Sequence, residues 1–248
     1  MSLLPTEKTK PVPGLGARNL LIFGNPKSGK STLAASLRPD TTLFLACEDG
    51  LSAIEAFQVP IRSWQDFLDV ANELRTAEHG YDTVVIDTVD ELARMCADFA
   101  TRGLAEKEGI PATTFVHASD FEYGKGWDAV ASLFRLKVSG FCNLGFAVIF
   151  VSHAKEEKVK NRVGVEVTKL SPDVGQKGMR KWLLGFVDLI AFSYVEEAQG
   201  GVQHVLRFRG DADVASGGRV AQEDWAKLPD TVPMDPAAVN AVFEAVWG

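Results

Sequence analysis

Short apolar runs punctuate this chain, and within them hydrophobic positions do not alternate with polar ones. They cover 19–23, where the run stops at Gly24, then 42–47, 83–86, 146–151 and 187–192. Continuous apolarity over a strand's length predicts parallel strands buried on both faces. Helical spacing fills the gaps. A helix is predicted from Ser31 to Leu37. Another follows Ser63, an N-cap residue, with Phe67, Val70 and Leu74 on one face. Leu92, Met95, Cys96 and Phe99 mark a third helix over 88–105, and Val130, Leu133 and Phe134 a fourth over 127–138. Strand and helix in alternation predict a doubly wound α/β fold, a mostly parallel sheet with helices on both faces.

The rhythm changes near the end. Segments 194–197 and 203–208 flank Gly200 and Gly201 and predict an antiparallel C-terminal β-hairpin. Asp235 and Pro236 then open a last helix, with proline at its first position. Residues 1–18, with Pro5, Pro11 and Pro13 and no apolar stretch of signal-peptide type, are expected to form an extended arm. Nothing divides 19–248, which is read as one domain. At 248 residues the chain is long enough to bury a sizeable core.

Composition removes several function classes. No apolar run approaches the roughly 20 residues that span a bilayer, so a cytoplasmic protein with no membrane partner is expected. The three cysteines are far apart, which fits buried apolar residues in a reducing compartment and not a disulfide framework. The four histidines lack the spacing of a zinc helix. A net charge of −7 argues against a surface basic all over, while leaving room for a local basic groove.

One motif carries chemistry outright. Gly24, Asn25, Pro26, Lys27, Ser28, Gly29, Lys30 and Ser31 match the phosphate-loop pattern in full, between an apolar strand and a helix as that motif requires. Its glycines let backbone N–H groups converge on phosphate, and the following helix offers its positive end. Lys30 is suited to the β- and γ-phosphates and Ser31 to Mg²⁺; Thr32 completes the candidate nucleotide contacts. ATP and Mg²⁺ are the expected cofactors. A second metal carboxylate is needed at another strand end, and Asp87, closing the run at 83–86, meets that need. Glu48, just past the second run, is the first candidate to activate water, with Glu91 as the alternative. Asp90 and Glu91 also sit where a helix start favours negative charge for its own sake. His153, after the fourth run, is placed to sense the γ-phosphate.

Together Lys30 and Ser31, Glu48, Asp87-Thr88 and Ser152-His153 resemble the RecA-like branch of P-loop ATPases. Glu48-Asp49-Gly50, the Tyr123–Trp127 segment, the Val151–Lys155 segment and Leu170-Ser171-Pro172-Asp173 are similar to phage-encoded recombination ATPases of the Sak type, single-strand annealing proteins. The likeness covers roughly residues 19 to 220. It implies ATP-dependent binding of single-stranded DNA, a homo-oligomer in filament or ring form, and a single-stranded DNA-binding protein as a further partner. It also implies that 154–181 is a mobile DNA-binding loop. That segment holds eight basic and four acidic residues, a local charge of +4. Lys155, Lys158, Lys160 and Arg162 are its candidate DNA contacts. Lys177, Arg180 and Lys181 are candidates to complete a neighbouring subunit's site. Departing from some relatives, Arg219 lacks a lysine two residues before it. A helicase loader or packaging motor acting on a protein partner is the alternative reading. A small-molecule kinase is disfavoured, because 100–123 holds a single arginine where a lid needs several.

Overall fold

A computed structural model describes residues 4, 6–8, 12–16, 18–160, 163–198 and 201–248. Its strands are β1 (Asn19–Gly24), β2 (Thr42–Ala46), β3 (Phe57–Pro60), β4 (Thr83–Asp87), β5 (Ala147–Lys160), β6 (Glu166–Pro172), β7 (Leu189–Ala198), β8 (Gly201–Arg207), β9 (Gly217–Gly218) and β10 (Thr231–Pro233). Its helices are α1 (Lys30–Leu37), α2 (Trp64–Thr76), α3 (Val89–Lys107), α4 (Lys125–Cys142), α5 (Lys177–Phe186) and α6 (Pro236–Trp247). The sheet runs β10-β8-β7-β1-β5-β4-β2-β3. From β7 to β3 every pairing is parallel, and β8 and β10 add antiparallel strands at one edge. The predicted doubly wound α/β class is therefore the observed one.

Strand periodicity explains the two layers. Side chains two apart share a face, so Leu21, Leu45, Val84, Ile86, Val148 and Phe150 join α2 to α5 in one core. Their neighbours Leu20, Ile22, Phe44, Val85, Ile149 and Val151 join α1 and α6 in a second core on the other face. Within the first core Trp64, Phe67 and Phe134 are fully buried, with Trp64 5.0 Å from Phe67 and 6.3 Å from Phe134. Ser63 caps α2 as expected: its hydroxyl accepts from the Asp66 amide while the Asp66 carboxylate accepts from the Ser63 amide.

Several elements depart from expectation. Strand β3 is short and mostly exposed at the sheet edge, so it lacks the apolar run that marks its neighbours. Most of the run at 187–192 and the first arm of the hairpin are one strand, β7, parallel to β1 at its start and antiparallel to β8 from Phe192 to Ala198. Segment 154–181 is no irregular loop. β5 continues past the sheet to Lys160, pairs with β6 from Ala154↔Pro172 to Lys160↔Glu166, and α5 follows. Charged residues at half of its paired positions hid this ladder. Phe99, placed on the inner face of its helix by spacing, is 45% exposed. At the inner end of the arm Leu15 is buried, the Gly14 amide donates to the Trp247 carbonyl at 3.3 Å, and the Arg18 guanidinium lies 4.2 Å from the Trp247 ring centre.

Phe134 touches both Trp64 and Trp182. Phe134→Ala is expected to cost about 3–5 kcal/mol of stability through lost transfer energy and a cavity, read as a lower midpoint in urea denaturation.

Candidate active site

Parallel pairing brings the chemistry to one edge. Register places Gly24 beside His153 on one side and Ser193 on the other, with Asp87 between Ala46 and Val151. The C-terminal ends of β1, β2, β4 and the sheet portion of β5 thus open on one crevice, where ligands of such sheets bind. A cavity of about 540 Å³ lies there, lined by Lys30, Ser31, Glu48, Asp87, Thr88 and His153 among others.

The phosphate loop is bent by local backbone geometry. Gly29 at φ 93° and Lys27 at φ 63° both adopt left-handed conformations. Lys30 Nζ donates to the carbonyls of Gly24 at 3.0 Å and Asn25 at 2.8 Å. The loop is also braced from the far side. Ser193 Oγ on β7 donates to the Ser28 carbonyl at 3.1 Å and lies 2.8 Å from Ser28 Oγ, and His204 Nδ1 on β8 lies 2.9 Å from the same carbonyl. To accept no clash there, that His204 nitrogen carries its proton and donates. Sequence reasoning missed both braces, because no local spacing ties residue 28 to residues 193 and 204.

The carboxylates crowd the lysine. Burial is the main cause raising the Asp87 pKa above the usual carboxylate range; a hydrogen bond from Ser31 and the Lys30 and His153 charges pull the other way. Burial likewise raises Glu48, and Asp87, Asp90 and Glu91 add to it against the opposing His153 charge. Burial lowers the Lys30 pKa, opposed by Asp87, Asp90 and Glu48. Glu91, the alternative base, is engaged with Arg94 one turn on at 2.6 Å.

The residues present suit a magnesium nucleotide. Ser31 and Asp87 both line the cavity wall, where the Ser31 hydroxyl is one of the influences that lower the Asp87 pKa against burial. Thr88 Oγ1 is buried on that same wall with no hydrogen-bond partner among the described residues, a position that a metal-bound water would satisfy. Among the described residues no group of three or more His, Cys, Asp and Glu is placed to hold a metal. Mg²⁺ needs no such cage, since phosphate oxygens and water supply most of its ligands.

His153 lines the cavity and Asp90 grips it. Asp90 Oδ2 accepts from the His153 amide at 2.7 Å and lies 3.0 Å from His153 Nδ1, while Oδ1 accepts from Ser152 Oγ at 2.5 Å. Its place on the first turn of α3 suggested only a favourable helix-end charge. That β4 and β5 are neighbours is what brings α3 against residue 153.

The basic candidates lie apart from the cavity and many are paired. Lys155 contacts Asp173 at 2.6 Å and Lys158 contacts Glu166 at 3.2 Å. Lys160 is exposed at the end of β5, and Arg162 lies outside the described residues. Lys177 and Lys181 are exposed on α5, whereas Arg180 is buried and ion-paired with Glu157 of its own chain. Arg219 lies 3.7 Å from Asp188. Trp182 packs on Phe134 and Phe186.

Two substitutions test this geometry. A Cβ on Gly24 would stand 2.1 Å from the Ser193 carbonyl oxygen, so Gly24→Ala forces β1 and β7 apart. It is expected to cost about 1–3 kcal/mol and to abolish nucleotide binding in a fluorescent-nucleotide titration. Asp87 has a folded-state pKa above its unfolded value, so its ionisation weakens the fold as pH rises through that window. Asp87→Asn is expected to raise the nucleotide-free Tm by about 2 °C at pH 7. That gain should vanish in acid, below the ordinary carboxylate range.

A 32% identity over 151 residues links the chain to the SPbeta prophage-derived uncharacterized protein YorG of Bacillus subtilis (strain 168), covering 58% of this chain and 43% of that protein. The chain thus aligns with less than half the length of that relative. A KaiC-like protein, PH0186, from Pyrococcus horikoshii OT3 overlays with a TM-score of 0.44 at 11% identity, covering 86% of this chain and 92% of the other. Residues 17–220, which hold the phosphate loop, Asp87 and His153, match a family of AAA domains, and the chain belongs to that family, AAA_24.

Proposed function

We propose that this chain hydrolyses ATP in the cavity at the sheet edge and uses the cycle to act on single-stranded DNA, in phage-type recombination or strand annealing. The observation that carries the proposal is the position of His153. It lines the cavity and immediately precedes the β5–β6 ladder, which begins at Ala154, so the chemistry and a projecting element adjoin one residue.

The roles follow from the geometry. Backbone N–H groups of Asn25 and of Lys27 to Thr32, with the start of α1, cradle the phosphates, and Lys30 supplies the charge. Ser31 and Asp87 would hold Mg²⁺, which neutralises and orients phosphate oxygens when bound. Glu48 orients water and takes its proton. Its raised pKa suits a base working near neutrality, since a weaker carboxylate acid is a stronger proton acceptor. His153 senses the terminal phosphate. The local basic excess of the hairpin supports a nucleic-acid partner, with exposed Lys160 the first contact to test, beside Lys155, Lys158 and Arg162. The prophage origin of YorG is in keeping with a phage setting. A homo-oligomer, with Lys177 or Lys181 reaching a neighbour's site, and a single-stranded DNA-binding protein as helper complete the reading.

A second reading has its own support. Pairing of Lys155, Lys158 and Arg180 with carboxylates consumes much of the positive charge, which suits a motor or helicase loader facing a protein.

Turnover of ATP with and without single-stranded DNA, at low and high salt, separates the two. The DNA reading expects stimulation that high salt abolishes, and Lys30→Ala to abolish turnover. Lys30-dependent turnover indifferent to DNA transfers the assignment to the protein-directed motor. Glu48→Gln is expected to lower kcat by roughly 100-fold or more with ATP still bound. In the wild type the acid limb of kcat is expected above the ordinary glutamate range, because Glu48 must lose its proton to act.

A further inference from the structure

One carboxylate, that of Asp90, collects three polar groups at the corner where β5 leaves the sheet. It takes the Ser152 hydroxyl, the His153 amide and the His153 ring nitrogen Nδ1. The Asp90 side chain is 13% exposed and that of His153 34%, so water screens the contact only in part. The corner is the root of the hairpin as well, since the Asp173 amide, just past β6, donates to the His153 carbonyl at 2.9 Å.

Tautomer chemistry gives this arrangement a consequence. A neutral imidazole carries one proton. If Nδ1 donates it to Asp90, Nε2 is left an acceptor and repels a phosphate oxygen. Only the imidazolium donates from both nitrogens. Among the described residues Nε2 makes no hydrogen bond, and the ring lines the cavity.

We propose that Asp90 is a positioning residue for ATP turnover: it holds His153 as a two-proton donor, with Nδ1–H on Asp90 and Nε2–H for the terminal phosphate. The proposal rests on the reading of the cavity as an ATP site. The surrounding charges agree with it. The hydrogen bond to Asp90 is the largest influence raising the His153 pKa. The Asp90 and Glu48 charges add to it, while burial and Lys30 oppose. Asp87, at the end of β4, also attracts the imidazolium, and the Asp173 carboxylate is already taken by Lys155. Binding of ATP brings further negative charge to the same ring.

Asp90→Asn isolates the charge from the geometry. Its amide oxygen can keep both His153 N–H bonds, and its NH₂ can donate to Ser152 Oγ. The Ser152 hydroxyl already lies 3.2 Å from the His153 carbonyl and can turn to it. Two readouts are compared in wild type and Asp90→Asn: the NMR titration of the His153 ring, assigned with His153→Gln, and the pH profile of ATP turnover. The expected result is a His153 midpoint moved to lower pH in Asp90→Asn. The alkaline limb of kcat should move the same way, with kcat at pH 8 down roughly tenfold and KM within about twofold. His153→Gln should lack that limb. An unmoved midpoint overturns the proposal, and so does a midpoint that moves while the limb stays. Failure of the ATP reading shows itself separately, as turnover that survives Lys30→Ala.

Discussion

A buried ammonium ringed by carboxylates is the constraint on which the rest of this structure turns. Lys30 sits at the end of a tight loop, donating to two loop carbonyls, with Asp87, Asp90 and Glu48 all close enough to oppose the effect of burial on its charge. Neither sign is comfortable alone. Burial lowers the lysine pKa and raises those of Asp87 and Glu48, so each charge depends on the others. Such a cluster is costly to keep in an empty fold and well matched to a ligand that brings both phosphate and metal. The orphaned hydroxyl of Thr88 belongs to the same pattern, a polar group awaiting a partner.

The sheet supplies the rigidity that this cluster needs. Of the six parallel strands, β7 to β3 in sheet order, all but the exposed edge strand β3 carry apolar side chains to two separate cores, so a shift of any of these five disturbs both. The phosphate loop gains further support from the antiparallel strands, where Ser193 and His204 converge on the backbone of Ser28. The C-terminal strands therefore act on the nucleotide site although they contribute no side chain to the cavity wall.

Beyond the sheet, β5 carries the same backbone onward as one arm of a hairpin. His153 stands at the junction. Its backbone amide is bonded to Asp90 and its carbonyl to the Asp173 amide, so the cavity-lining residue is tied directly to the root of the paired strands. Lys158 pairs with Glu166 across that hairpin and Lys155 with Asp173 at its root, and Lys158, Lys160, Lys177 and Lys181 are exposed cations of the segment.

Local order was enough to reveal the strands that are buried on both faces, the helices with an apolar stripe and the phosphate loop, since each of these is governed by residues within a few positions of one another. That Ser31, Glu48, Asp87 and His153 meet at one crevice was also legible, because parallel strands deliver their C-terminal ends to a common edge. Edge strand β3 and the β5–β6 ladder were not, for an exposed strand needs no hydrophobic run and is specified by its partner's backbone. The grip of Asp90 on residues 152 and 153, and the bracing of Ser28 from β7 and β8, exist only once distant segments are packed side by side. These are single hydrogen bonds between residues 62 to 176 positions apart, and no periodicity along a chain encodes such a meeting.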